Sequence, residues 1–338
     1  MKAYVVEAPG LGRVLDVPEP NVGDYDALVR MRACGVCNTT DRMVREGRFP
    51  RELSLPSILG HESVGEVTWI GSMVRNLAVG DLVTRASAYV DSNDPPLNQN
   101  WGGFAERGVV RDWQAELEDA GHGVPGSRSI RSRLVPSGLN PVEAALGICL
   151  SETRSTIPAS IVGSQVVVVG TGIAGLSYVD HAKRMGAACI VTIGRRQSRL
   201  DLARSLGSDF TFLADRSDLV QLVQEATSSG AHFAFEASGD PLMVVTAAQC
   251  CRPGGEVSIY GLSSREVGVR WDELPVDVSV RAVKTDEASY YTDVANELLV
   301  GERDASRFVS HRASFLDIDA AIAVCDAGES LKTVITFD

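Results

Sequence analysis

Residues 165–175 read Gln165-Val166-Val167-Val168-Val169-Gly170-Thr171-Gly172-Ile173-Ala174-Gly175, a run of valines that meets the pattern G-x-G-x-x-G. An unbroken β-branched run predicts a strand buried on both faces. The segment 173–186, IAGLSYVDHAKRMG, predicts a helix, so the glycines lie at a strand-to-helix turn. A second apolar strand, CIVTI at 189–193, comes about twenty residues later, the spacing of a dinucleotide-binding unit. Gly170 permits the tight turn, Gly172 lets a pyrophosphate approach the backbone, and Gly175 allows close packing of helix on strand. The free N–H groups of Ile173 and Ala174, with Thr171 in the turn, add the positive end of a helix dipole. The reading is a Rossmann site for a nicotinamide dinucleotide.

The end of the second strand selects the cofactor. A site for NAD places Asp or Glu there to bind the ribose 2′-hydroxyl. This chain has Gly194-Arg195-Arg196-Gln197-Ser198-Arg199 instead. A carboxylate would repel a 2′-phosphate, whereas guanidinium groups bind one in a bidentate fashion. Arg195, Arg196 and Arg199 therefore predict NADP(H).

Outward from this unit, DFTFL (209–213), HFAFEA (232–237) and EVSIYG (256–261) continue the strands, and SRLDLARSLG, DLVQLVQEATSSG and PLMVVTAAQCCRPGG supply the helices between them. Such alternation predicts an α/β, doubly wound parallel sheet over 151–284. Residues 1–110 carry short β-like runs, LVRMRAC (28–34), GEVTWIG (65–71) and GDLVTRA (80–86), which suggest a β-barrel-like first domain. Residues 111–140 read as loops, and 141–160 as a helix. The tail 285–338 predicts one helix near 290–300 and a closing strand, TVITF, returning to the first domain, which would then comprise 1–150 and 285–338.

Length and composition fit this division. A chain of 338 residues is long for one core, and 44% hydrophobic with 22% charged residues is a soluble globular profile. A net charge of −12 argues against nucleic acid as a partner. No run of 18 apolar residues spans a membrane, and the first residues, MKAYVVEAPG, lack a signal-peptide core. Seven sparsely placed cysteines do not suggest a disulfide framework. A cytoplasmic protein with reduced thiols and a small-molecule substrate is the expectation.

Residues 60–74, GHESVGEVTWIGSMV, match G-H-E-x-x-G-x5-G-x-x-V, with ACGVCNTTD (33–41) upstream and GDLV (80–83), GGFAERGVV (102–110), RPGGEV (252–257) and LKTVITF (331–337) downstream. Together with the dinucleotide unit, these motifs resemble the medium-chain zinc-dependent alcohol and polyol dehydrogenase superfamily over almost the whole chain. The resemblance implies a GroES-like β-barrel catalytic domain beside the Rossmann domain, and one catalytic zinc in the cleft between them. The zinc would polarise an alcohol or carbonyl oxygen while hydride passes to or from the nicotinamide. Cys37 and His61 map to zinc ligands, and Glu62 to a further ligand or a carboxylate behind them. Lys332 matches a position from which the cofactor phosphates can be reached.

The chain departs from the superfamily pattern in three places. The usual Cys-x-(Ser/Thr)-Asp is here Cys37-Asn38-Thr39-Thr40-Asp41, so either Thr39 or Thr40 would relay the proton. The third ligand falls within Ala145–Thr153: Cys149 fits the alcohol dehydrogenase pattern, Glu152 is one turn away, and the polyol alignment puts Ile148 there. The stretch 87–104, SAYVDSNDPPLNQNWGGF, has no cysteine, so no structural zinc is expected. Substrate-lining residues would come from 39–57, 85–115 and 260–290, including Arg42, Arg45, Arg48, Arg51, Trp101, Trp113 and Trp271. The reading is an NADP-dependent enzyme interconverting a secondary alcohol and a ketone. Alternatives are a zinc-free reductase of an activated C=C or C=N bond and a non-catalytic NADPH-binding protein. By analogy, a homodimer or homotetramer would form through an edge strand at EVSIYGL and the residues just after it.

Overall fold

The computed structural model describes residues 1–51, 53–88, 97, 101–121, 132–263, 265–268 and 270–337, with the backbone only at Trp271. The chain forms two compact units, Met1–Ser151 with Asp286–Asp338, and Glu152–Thr285.

The first unit opens with β1 (Lys2–Ala8), β2 (Leu11–Asp16), β3 (Asp26–Val36), α1 (Thr40–Arg45), β4 (Ser57–Ile58), β5 (Glu62–Ile70), β6 (Leu82–Thr84), β7 (Arg107–Arg111), α2 (Trp113–Asp119) and α3 (Pro141–Arg154). β3 is its hub. It pairs with β5 along its length, and with β7 over Asp26–Arg30 on the other side. A register shift against β5 between Met31 and Ala33 bends the strand. Met31, Cys34, Val83 and Phe104 on these elements are buried in one core. The expectation of loops over 111–140 is corrected by the end of β7 and by α2. Asp112 caps α2 by accepting from Ala115 N at 3.1 Å, a short-range signal that outweighs the polar composition. Residues 122–131 of that stretch lie outside the described residues.

The second unit contains β8 (Gln165–Val169), α4 (Ile173–Arg184), β9 (Cys189–Gly194), α5 (Gln197–Leu206), β10 (Phe210–Leu213), α6 (Leu219–Ala226), β11 (Ala231–Glu236), α7 (Leu242–Gln249), β12 (Cys251–Ile259) and β13 (Ser279–Ala282). All pairs are parallel, in the order β10-β9-β8-β11-β12-β13. The winding reverses between β8 and β11, the switch point where ligands bind beyond the strand ends. Two expectations change. Arg252-Pro253-Gly254-Gly255 belongs to β12 and not to a helix end, and the pairing with β11 is irregular there, which accommodates the proline. EVSIYGL is interior, because the exposed β13 pairs beyond it and forms the edge.

The chain then returns through α8 (Glu287–Leu299), β14 (His311–Ser314), α9 (Ile318–Asp326) and β15 (Thr333–Thr336). The tail thus holds a second helix, α9, beyond the one expected. β15 completes the first unit by pairing antiparallel with Ala33–Val36 of β3.

Candidate functional site

In the second unit, the three glycines of the 170–175 turn meet three different demands. Gly170 has φ +109°, and a Cβ on it would lie 2.8 Å from the carbonyl carbon of Ala237. A Cβ on Gly175 would overlap the carbonyl oxygen of Gly170. Gly172 is the N-cap of α4, and a Cβ there would meet nothing within 4 Å. This open face at a helix N-terminus fits a pyrophosphate. Thr171 packs against Gly194, where any Cβ would collide with the threonine side chain. Beyond Gly194, Arg195 and Arg196 are exposed and Arg199 half-buried. Burial and the neighbouring charge of Arg196 push the Arg199 pKa down.

Sequence reasoning missed Glu236, at the end of β11. It is buried, accepts from Ser238 N at 2.7 Å and from the Ser238 hydroxyl, and burial raises its pKa. Its only sequence signal is a carboxylate closing an apolar strand.

The first unit gathers a second group. Gly60, at φ +89°, turns the chain into His61, and its carbonyl accepts from Gly102 N and Gly103 N at 3.2 and 2.7 Å. The GHE and GGF motifs are therefore halves of one turn. Cys37 comes just after the end of β3, and its sulfur accepts from Thr40 N at 3.4 Å. Thr39 is exposed at the start of α1. Asp41 ties the group together: Oδ2 accepts from Cys37 N at 2.9 Å, and Oδ1 lies 3.3 Å from His61 Nδ1. Donor atoms of Cys37, His61 and Glu62 all lie within 4.8 Å of one another.

Thiolate, imidazole and carboxylate are a zinc donor set. Asn38 Oδ1, Asp41 Oδ1, His61 Nδ1 and Glu62 Oε2 are buried without a hydrogen-bond partner, a concentration of unsatisfied polar atoms that suits a cation site. Burial alone would push the His61 pKa down, but Asp41 and Cys37 outweigh it and hold it well above the ordinary histidine value.

Lys332 is not at the surface facing a phosphate. It is 1% exposed, forms an ion pair with Glu62, and donates from Nζ to Val36 O at 3.1 Å. Burial would lower its pKa; the Glu62 carboxylate more than reverses this. Gly35 makes room for the pair, since a Cβ there would strike Glu62 Oε2 and lie 2.9 Å from Lys332 Cε. The third-ligand expectation is likewise corrected. Cys149 is buried on α3 and does not join the group, whereas Glu62 is carried into it by adjacency to His61. Glu152 is engaged elsewhere, accepting from Tyr260 Oη at 3.0 Å. Cys34 is a core thiol, so the CxxC pair divides into one structural and one site cysteine.

A cavity of about 690 Å³ in the first unit is lined by Gly60, His61, Arg85, Ser87, Trp101 and Arg111, among others. Trp101 packs on His61 at 5.6 Å and edge-on to Phe49 at 6.0 Å between centroids. The expected lining arginines 42, 45 and 48 are held in ion pairs with Glu46 and Asp326. Trp113 lies beneath the Arg111 guanidinium, 5.2 Å from its ring centroid. Part of the stretch read as free of a structural zinc, 89–96 and 98–100, lies outside the described residues.

Comparison with known proteins agrees with both sites. The alcohol dehydrogenase GroES-like domain family matches residues 23–118, and the zinc-binding dehydrogenase family matches residues 174–287. L-threonine 3-dehydrogenase of Symbiobacterium thermophilum is 26% identical over 100% of this chain and 98% of its own. Sorbitol dehydrogenase of Halalkalibacterium halodurans is 27% identical, covering 99% of each chain. The structure of a protein described as a zinc-binding dehydrogenase from Sinorhizobium meliloti, solved with NADP bound, superposes with a TM-score of 0.78 at 25% identity over 99% of this chain and 98% of that one. The chain belongs to the medium-chain zinc-dependent dehydrogenase superfamily. Within it, the protein is an oxidoreductase of the alcohol dehydrogenase kind. Among the described residues no helix is long and apolar enough to cross a membrane.

Proposed function

We propose that this chain interconverts a secondary alcohol and a ketone with NADP(H), using one zinc ion held by Cys37, His61 and Glu62. The observation that carries this reading is the convergence of three donors of different chemistry within 4.8 Å. Bound there, zinc would supply Lewis-acid stabilisation of the alkoxide, and the nicotinamide would exchange the hydride. The chain's own residues do the rest. Asp41 holds the imidazole through Nδ1, leaving Nε2 for the metal. Thr39 or Thr40 carries the substrate proton outward. Trp101 forms an aromatic wall beside His61. Arg195, Arg196 and Arg199 bind the 2′-phosphate, and Gly172 admits the pyrophosphate.

A polyol, sugar or cyclitol-like alcohol is the proposed substrate class, supported by the sorbitol dehydrogenase relative. A dimer or tetramer built on the exposed β13 edge is the proposed assembly. A zinc-free reductase is the second reading, favoured by the pairing of Glu62 with Lys332, which already neutralises one donor. Metal analysis with an alcohol and ketone panel decides between them. Zinc near one per chain and polyol oxidation support the first; less than about one zinc per two chains, with chelator-insensitive turnover, supports the second.

A further inference from the structure

Two of the proposed zinc donors, His61 and Glu62, are consecutive, so one peptide unit sets their mutual orientation. The carbonyl of that peptide accepts from Arg85 Nη1. Arg85 is an unusual residue in its own right. It sits at φ +60°, a left-handed backbone that is costly for a residue with a Cβ and that persists only where its surroundings hold it. Those surroundings are specific. Arg85 N donates to Ser63 O at 2.8 Å, and Ser63 Oγ donates to Ala86 O at 2.8 Å, lashing the end of β6 to the start of β5. The guanidinium then reaches Glu287, with Nη2 3.1 Å from Oε1, and the two side chains are only 8% and 6% exposed. Glu287 lies in the first turn of α8, where the helix dipole favours a carboxylate. Arg133 Nε donates to Ala288 O at 2.9 Å in the same turn, so α8 is anchored here independently of Arg85.

We infer that the buried Arg85–Glu287 pair is a positioning device that fixes the His61–Glu62 peptide for metal binding. It rests on the zinc reading above. Arg85 touches no metal and acts through the carbonyl it holds. A planar fork suits the task, because one guanidinium serves a carbonyl and a carboxylate at once. Removing both charges together, in R85M/E287M, avoids leaving one of them buried alone.

The test measures zinc affinity by chelator competition and the visible absorption of the cobalt-substituted protein, with circular dichroism as the control for folding. R85M/E287M should bind zinc about tenfold or more weakly, the scale on which outer partners tune metal sites, and should shift the cobalt bands. R85K, which keeps the charge but donates from one point, should recover part of the affinity and serves alone if the double variant does not fold. Zinc affinity within about twofold of wild type in either folded variant, with unchanged cobalt bands, overturns the inference while leaving the zinc reading intact. A wild-type chain that takes up no zinc overturns both.

Discussion

Glu62 and Lys332 are an example of residues whose meaning depends on partners far away in sequence. Each is almost wholly buried, and each is tolerable only because of the other. Lys332→Met strands the Glu62 charge and should destabilise the fold by about 3–5 kcal/mol, read from urea unfolding, whereas the double change Glu62→Met and Lys332→Met should cost much less. Glu236 makes the opposite case. Its folded-state pKa is raised by burial, so its contribution to stability is full below the ordinary carboxylate range and is lost as pH rises through the raised value. Glu236→Gln should therefore melt at a higher temperature than wild type at neutral pH, with the advantage gone below about pH 4. A melting-temperature series against pH that shows no such crossover sinks the argument. Of these residues, Cys37 and His61 were legible in the sequence because their spacing within compact motifs is dictated by metal chemistry. The ion pair, Glu236 and Arg85 were not, because burial and long-range contact leave no local pattern.

Elements were legible where one physical demand dominates. The valines of β8 and the glycines after them read correctly because a doubly buried strand and a tight turn leave few alternatives. α2 escaped notice because it is short and rests on one capping aspartate. β13 escaped because all four of its residues are exposed, so no buried stripe marks it. The turn from β9 into α5 carries the cofactor prediction. Arg195 and Arg196 stand at the strand end that reads the ribose. Changing both to alanine should lower kcat/KM for NADPH about tenfold or more while leaving NADH nearly unaffected. A wild-type preference for NADH would refute it at the outset.

At the scale of the whole molecule, the division into a split unit and a continuous one sets an order of assembly. Residues 152–285 have all their sheet partners within a single stretch and can fold as soon as that stretch leaves the ribosome. The first unit cannot. β3, made early, pairs over Ala33–Val36 with β15, and Val36 gives its carbonyl to Lys332. The zinc donors have all been synthesised by residue 62, yet the lysine that balances Glu62 and the strand that closes the sheet beside it come last. Ending translation before Leu331 should thus yield a chain with every proposed ligand present and no tight zinc binding, measurable by metal retention on gel filtration; retained zinc would show that the site closes without its final strand. Such an arrangement works as a proofreading step in biosynthesis: a truncated chain is denied the metal and with it the chemistry.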